Sequence, residues 1–396
     1  MTSGLELGDV YGATIERIKV QDGDKPRLGM TVLMWINHAE RPLQADELCH
    51  ALAVELGSTD FNASNVPSIS MLVGCCQGLI TVDKEASTVR LIHFTLQEYL
   101  SAHPEISNRP HSAMAKFCLT YLNSPQVKAL STTPAPYIHN APFLEYCSVY
   151  WGIHAKRELS DSARTLAPKL LKEHYSPAST KLLLKQVPHL DLGGCYSCSP
   201  FNGLHCASFF GIAEVVAALI EMGCYDINER DFLGRTPLAW AAHNGHEEAV
   251  RILLGREEVN PSQLANNGPT PLSSAVVYGH DGVVKLLLGR QEVNADEPGI
   301  YGRTPLLVAA LFGRERIVRI LLKQEEVNPD RLDDDGRTAL SLAAWNGHEG
   351  TVKVPLGREE FNPDKPDSHG QTPLSLATKR GHSRVAALLQ VRKAVS

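Results

Sequence analysis

The sequence predicts a mainly α fold in two parts: a helical front half carrying one β hairpin, then a solenoid of six 34-residue repeats. Two observations predict it. Sliding the chain along itself brings Thr236-Pro237-Leu238 onto Thr270-Pro271-Leu272, Thr304-Pro305-Leu306, Thr338-Ala339-Leu340 and Thr372-Pro373-Leu374, at steps of 34 residues. Residues 1–199 lack that period and show helical patterning around a pair of short, alternating, β-rich segments.

The elements of one repeat follow from its residues. A glycine before each threonine, such as Gly234 or Gly336, marks a tight turn, because glycine reaches positive φ without steric cost. The proline after the threonine suits a first helical turn, where a missing N–H is no loss. A short apolar helix follows (Leu238 to Ala242), whose alanines allow close approach. Gly-His at 245–246, 279–280, 347–348 and 381–382, or Gly-Arg at 313–314, then reverses the chain. A second helix carries Val250, Leu253 and Leu254 on one face. A polar tail closes the copy, as in Glu257-Glu258-Val259-Asn260 and Glu325-Glu326-Val327-Asn328. One step before the first clear copy, Asn202-Gly203-Leu204 keeps the leucine and His205 without the Thr-Pro, which makes six copies over 200–396.

Turn, helix, turn, helix with T-P-L-H-like openings resembles the ankyrin repeat, and the resemblance covers residues 200–396. No copy buries its own apolar face, so stability comes from stacking. The resemblance implies a concave binding surface made from turn tips and first helices, with no chemistry of its own. The face positions read Phe209-Phe210, His243-Asn244, Val277-Tyr278, Leu311-Phe312, Trp345-Asn346 and Lys379-Arg380; the tips add Phe232, Arg235, Tyr301, Arg303 and Arg337. Aromatic residues and arginine are enriched at binding hot spots, so a protein-binding groove centred on Tyr278, Phe312 and Trp345 is expected. The competing reading is that some of these aromatics tuck under a neighbouring repeat.

The histidines after the reversing glycines recur at a structural position and are expected to be scaffold. His246-Glu247-Glu248-Ala249-Val250 is not H-E-x-x-H, because position 250 is valine. Pro355 stands where other copies have Leu253, Leu287 and Leu321, so the second helix of the fifth repeat is expected to kink or stop early. Val385, Leu388 and Leu389 give the sixth repeat the look of an interior one, so the natural protein is expected either to continue or to manage with a short cap.

In the front half, residues 1–27 read as a lead-in helix over 5–20, 28–103 as a winged helix, and 104–199 as a helical connector whose last helices cap the stack. Two helices break at Arg41-Pro42, and a third runs from Ile69 to Cys76. "GLITVD" and "STVRLIHF" form a hairpin about Lys84-Glu85, and "TLQEYL" starts a further helix. Three helices and a hairpin make a winged helix. Its third helix has no Lys or Arg and the chain is net −6, which argues against nucleic acid as a partner. The connector reads as helices over 111–123, 143–156, 160–174 and 178–187, with a loop at Pro134 and Pro136 and a junction at Gly193-Gly194.

"CCQGLITVD", "VRLIHFTLQEYL", "CLTYLN" and "PFLEYCSVYWGIHA" resemble the winged helix and following helices of fungal NACHT–ankyrin proteins, STAND-class NLR-like signalling ATPases. The resemblance implies a NACHT domain as partner, upstream or in trans. It also implies a nucleotide-state sensor at His93, where Phe94 replaces an aspartate that often follows that histidine. No G-x-x-x-x-G-K-[ST] or G-x-G-x-x-G occurs, so this chain is not expected to hydrolyse ATP alone and reads as the C-terminal part of a longer receptor or a truncated relative. The winged-helix module also goes by the name of GPI inositol-deacylase, yet no G-x-S-x-G nucleophile elbow is present.

Nine scattered cysteines without a signal peptide point to free thiols in a reducing compartment, cytoplasmic or nuclear. No run of eighteen apolar residues offers a membrane span. Cys195 and Cys198 form C-x-x-C near His205 and Cys206, but the repeat pattern already accounts for the latter pair, and no metal or cofactor is expected. No nucleophile–base pair or carboxylate dyad stands out, so the expected function is protein recognition and not catalysis. The alternative is a free-standing ankyrin adaptor with no switch.

Overall fold

The computed structural model describes residues 7–55, 65–128, 141–159, 161–172, 177–187, 201–266, 268–356 and 361–393. The chain divides into two compact units, Met1–Cys198 and Ser199–Ser396.

The first unit opens with α1 (Leu7–Lys19), α2 (Lys25–His38), α3 (Ala45–Leu52) and α4 (Ile69–Cys75). Gln44 and Glu47 form a capping box on α3, and Arg41 holds Glu47 at 2.6 Å. Strands β1 (Ile80–Val82) and β2 (Val89–Leu91) pair antiparallel, with Thr81 opposite Arg90, and a bridge from Gln44 to Thr88 adds a third segment. Then come α5 (Phe94–Ala102), α6 (Pro110–Asn123), α7 (Pro125–Lys128), α8 (Leu144–Arg157), α9 (Asp161–Lys172) and α10 (Pro177–Leu184). The short α7 has no counterpart in the sequence reading.

The helix read as a lead-in packs against α2 and α5. Tyr11, Ile15 and Ile18 of α1 are buried, and Tyr11 donates to or accepts from Thr95 Oγ1 at 2.7 Å. The alternation of apolar residues along α1 faces α2 and α5, so its burial has the same cause as that of any amphipathic helix. The winged helix and the following helices share one core. Trp35 of α2 is fully buried among Phe117, Phe143 and Tyr146, with ring centres 5.4–6.0 Å away. Burial pushes the Cys49 thiol up to about 11 and the Cys76 thiol to about 12, so these free cysteines are unreactive core residues.

The second unit is a stack of helix pairs: α11 (Gly203–Phe210) and α12 (Ala213–Glu221), α13 (Pro237–His243) and α14 (Glu247–Leu254), α15 (Pro271–Tyr278) and α16 (Asp281–Leu288), α17 (Pro305–Leu311) and α18 (Glu315–Leu321), α19 (Ala339–Trp345) and α20 (Glu349–Leu356), α21 (Pro373–Lys379) and α22 (Ser383–Lys393). Each first helix packs on the first helix of the next pair. Threonine caps explain the T-P-L starts: the hydroxyls of Thr236, Thr270, Thr304, Thr338 and Thr372 accept the N–H three residues on.

The recurring histidines tie pair to pair. His246 Nε2–H donates to Phe209 O at 2.9 Å, His280 to His243 O at 2.9 Å, His348 to Leu311 O at 3.0 Å and His382 to Trp345 O at 3.0 Å. Arg314 does the same to Val277 O at 2.7 Å. Each fills a carbonyl that a helix C-terminus leaves open. The reversing glycine makes room: Gly245 has φ +73°, and a methyl there would lie 2.7 Å from His280 Cε1.

Pro355 does not shorten its helix. α20 runs to Leu356, as α14 runs to Leu254 and α16 to Leu288. At the penultimate position a proline removes one backbone donor, the N–H that would bond Thr351 O, and leaves the preceding bonds of the helix in place. Cys195 and Cys198, the Pro134–Pro136 loop and Gly193-Gly194 lie outside the described residues.

Candidate functional site

The groove expected on the second unit is built on hairpin tips that bond to one another. Asn266 N–H donates to Leu233 O at 2.9 Å, Asp334 to Tyr301 O at 3.0 Å and Ser368 to Asp335 O at 3.1 Å. Three aspartates organise the tips and were missed in the sequence. Asp231 Oδ1 accepts from the N–H of Leu233 and Arg235, and its Oδ2 accepts Trp240 Nε1–H at 2.8 Å. Asp333 and Asp367 accept the matching N–H pairs. The signal was available, since 231, 333 and 367 fall on the 34-residue period.

The expected site residues separate into three groups. Tyr278 (40% exposed), Phe312 (46%) and Tyr301 (65%) face solvent, and Lys379 and Arg380 are exposed as well. Trp345 is half-buried and carries the Arg380 guanidinium 3.7 Å above its ring. Under it lies a cleft of about 240 Å³ lined by Asp335, Arg337, Trp345, Asp367, His369 and Lys379. Tyr301 adopts φ +62°, a left-handed conformation costly for a side chain of its size and typical of constrained functional turns.

A second group supports the surface without forming it. Phe210 and His243 are buried, which corrects their placement on the face. The short helices turn these side chains inward: His243 packs its ring 5.6 Å from that of Trp240 and 4.2 Å from that of Tyr278. Burial, with Arg235 and His280 nearby, lowers the His243 pKa to about 4, so its imidazole is neutral. Asn244 Nδ2–H is committed to Phe209 O; Asn346 donates Nδ2–H to Leu342 O but is exposed and belongs with the first group. Phe209, Phe232 and Leu311 are half-buried.

The third group is arginines held in place. Arg303 and Arg337 share Asp333, with Nε–Oδ2 distances of 3.3 and 3.1 Å. Arg235 lies 4.4 Å over the Trp240 ring, and its enclosed Nη1 has no hydrogen-bond partner. An unsatisfied buried donor favours whatever brings it an acceptor.

In the first unit, His93 caps α5: Thr95 N–H donates to His93 Nδ1 at 3.3 Å. The residue is exposed, lies with its ring centre 4.4 Å from that of Phe94 in a tilted arrangement, and borders a cleft of about 330 Å³ together with Glu40, Arg41 and Arg90. The third helix of the winged helix presents Ser70 and Met71 outward and no cation.

One cluster in this unit had no signal in the sequence. Glu40, His111 and His154 offer ligand atoms that all lie within 4.8 Å of one another. Burial is the main cause that lowers the His154 pKa to about 3, with His111 and Arg157 adding to it. No helix among the described residues is long and apolar enough to cross a membrane.

Comparisons with known proteins agree with this architecture. The family described as ankyrin repeats matches residues 204–297, 291–367 and 328–394, and that described as GPI inositol-deacylase, winged helix domain, matches 16–115. Protein phosphatase 1 regulatory subunit 12A of Mus musculus is 44% identical over 71 residues, 18% of this chain and 6% of that protein. Probable protein S-acyltransferase 23 of Arabidopsis thaliana is 41% identical over 63 residues, 16% of this chain and 12% of that protein. This chain therefore spans only a small part of those relatives. The crystal structure of the ankyrin repeat domain of Bcl-3 aligns over 48% of this chain and 82% of that chain, at 27% identity and a TM-score of 0.42. The chain carries a winged-helix domain and ankyrin repeats, and ankyrin repeats are modules of protein–protein interaction.

Proposed function

We propose that this chain is the recognition end of a STAND/NLR-like signalling ATPase. A partner protein is taken in the ankyrin groove, and the winged helix passes the event to a NACHT domain in cis or in trans. The observation that carries the reading is the row of exposed Tyr278, Tyr301 and Phe312 beside half-buried Trp345, on a scaffold whose other aromatics are largely packed away. Rigid aromatic side chains anchor protein partners at small entropic cost. A partner segment with an apolar anchor fits the Phe312–Trp345 stretch. His93, at the end of the hairpin, is the proposed point where the winged helix senses nucleotide held by the NACHT domain.

The test is affinity capture from host lysate, with this chain beside a Phe312→Ala/Trp345→Ala double variant of the same circular dichroism. Retention of a partner by the first bait and its loss by the second supports the groove. Equal capture by both refutes it. Failure of a supplied NACHT domain to bind the chain would instead favour an adaptor without a switch.

A further inference from the structure

The geometry points to a transition-metal site in the first unit, made by Glu40, His111 and His154, which binds a divalent ion of the zinc class. The three residues come from separate places: the turn after α2, the first turn of α6 and the last turn of α8. His111 Nδ1 and His154 Nδ1 approach to 2.8 Å, and Glu40 Oε1 lies 3.9 Å from His154 Nδ1. Zinc bonded at its usual length holds neighbouring ligand atoms about 3.3 Å apart in a tetrahedron. Two of the spacings bracket that value and all three ligand atoms lie within 4.8 Å of one another, so side-chain moves of at most about 1.5 Å would meet it. His111 and Glu40 are partly exposed, so they can make those moves and an ion can enter. His154 is fully buried and provides the fixed ligand.

The surroundings are those of a held ligand. His154 Nε2, the nitrogen away from the cluster, lies 2.8 Å from Tyr146 Oη, which also accepts the Glu40 N–H at 3.1 Å. A partner on the far nitrogen fixes the ring and its tautomer, as metal-bound histidines require. Two imidazoles and one carboxylate suit zinc, cobalt or iron(II) and not calcium or magnesium. A fourth position remains for solvent. His38 packs edge-on to His111 at 5.5 Å but directs Nε2 to Asn37, so it shapes the site without joining it. Arg157 is the competitor: it grips both Glu40 oxygens, Nη2 reaching Oε2 at 3.0 Å. An ion would take Oε1 from Arg157 and sit beside its charge, so removing the guanidinium should tighten binding. The bound ion would join the winged helix to α6 and α8, the helices that share its core.

The test is titration of the chelator-treated full chain with Co²⁺, read by visible absorption. The site predicts one equivalent with ligand-field bands and no sulfur-to-cobalt charge transfer. Glu40→Gln and His111→Ala, both with unchanged circular dichroism, should weaken binding by at least tenfold, about the loss seen on removing even a supporting group. Arg157→Gln should strengthen it, and Cys195→Ser/Cys198→Ser should leave it alone. Absence of a stoichiometric equivalent, undiminished binding by both ligand variants, or a thiolate charge-transfer band would overturn the assignment.

Discussion

Replacing Gly245 with alanine tests how the repeats are fastened together. Gly245 has φ +73°, and an alanine there pays about 1 kcal/mol for the left-handed conformation alone. The new methyl would also lie 2.7 Å from His280 Cε1, displacing the ring. His280 then loses its 2.9 Å bond to His243 O, a further loss of about 1–2 kcal/mol once an enclosed carbonyl is left without its donor. The expected total is about 2–3 kcal/mol. Gly381 is the control, because it has φ +76° but nothing within 4 Å of the added methyl. Gly381→Ala should therefore cost only about 1 kcal/mol. Equilibrium urea unfolding followed by circular dichroism measures both. A double variant, Gly245→Ala/His280→Ala, removes the clash with the ring, so it should fall short of the summed single effects by about 1 kcal/mol. Equal losses for Gly245→Ala and Gly381→Ala, or full additivity with His280→Ala, would refute the latch.

Acid should loosen the repeats before most carboxylates titrate. Burial depresses the pKa values of His205 and His243 to about 4, so the unfolded chain takes up protons first as pH falls. Stability is then complete above about pH 6.5 and declines toward pH 4, each histidine costing about 2 kcal/mol by pH 5. Urea midpoints at pH 7.5 and 5 check this, and a His205→Asn variant should show a shallower decline. Pro355→Leu restores one last-turn backbone donor, so it should raise stability by roughly 1 kcal/mol, less than the ~3 kcal/mol of a mid-helix proline; no gain on thermal or urea unfolding would contradict that account.

What the sequence made legible was whatever repeats. The 34-residue period exposes the helix pairs, the reversing glycines and the histidines that follow them, because every copy solves the same stacking problem. The tip aspartates at 231, 333 and 367 lay on that period too, but two of the copies place Ala265 and Gly299 there and broke the pattern. Side-chain direction was harder to read. Phe210 shares its repeat position with the exposed Tyr278 and Phe312, and His243 shares its own with Val277 and Leu311, yet Phe210 and His243 are buried. The Glu40–His111–His154 cluster was invisible, since its members come from three elements at unrelated spacings and meet only through the Trp35 core. Pro355 was misjudged because its rank within the helix, one residue from the end, matters more than its presence.

The central claim is that the aromatic row of the ankyrin groove binds a protein. Its most direct test is the affinity of the captured partner for single variants Tyr278→Ala, Phe312→Ala and Trp345→Ala, beside Arg316→Ala on a second helix, whose side chain is 88% exposed. The account predicts that at least two of the groove variants weaken binding by about tenfold or more, roughly 1.4 kcal/mol each, while Arg316→Ala leaves it unchanged. Full affinity in all three groove variants, or a loss confined to Arg316→Ala, would contradict it.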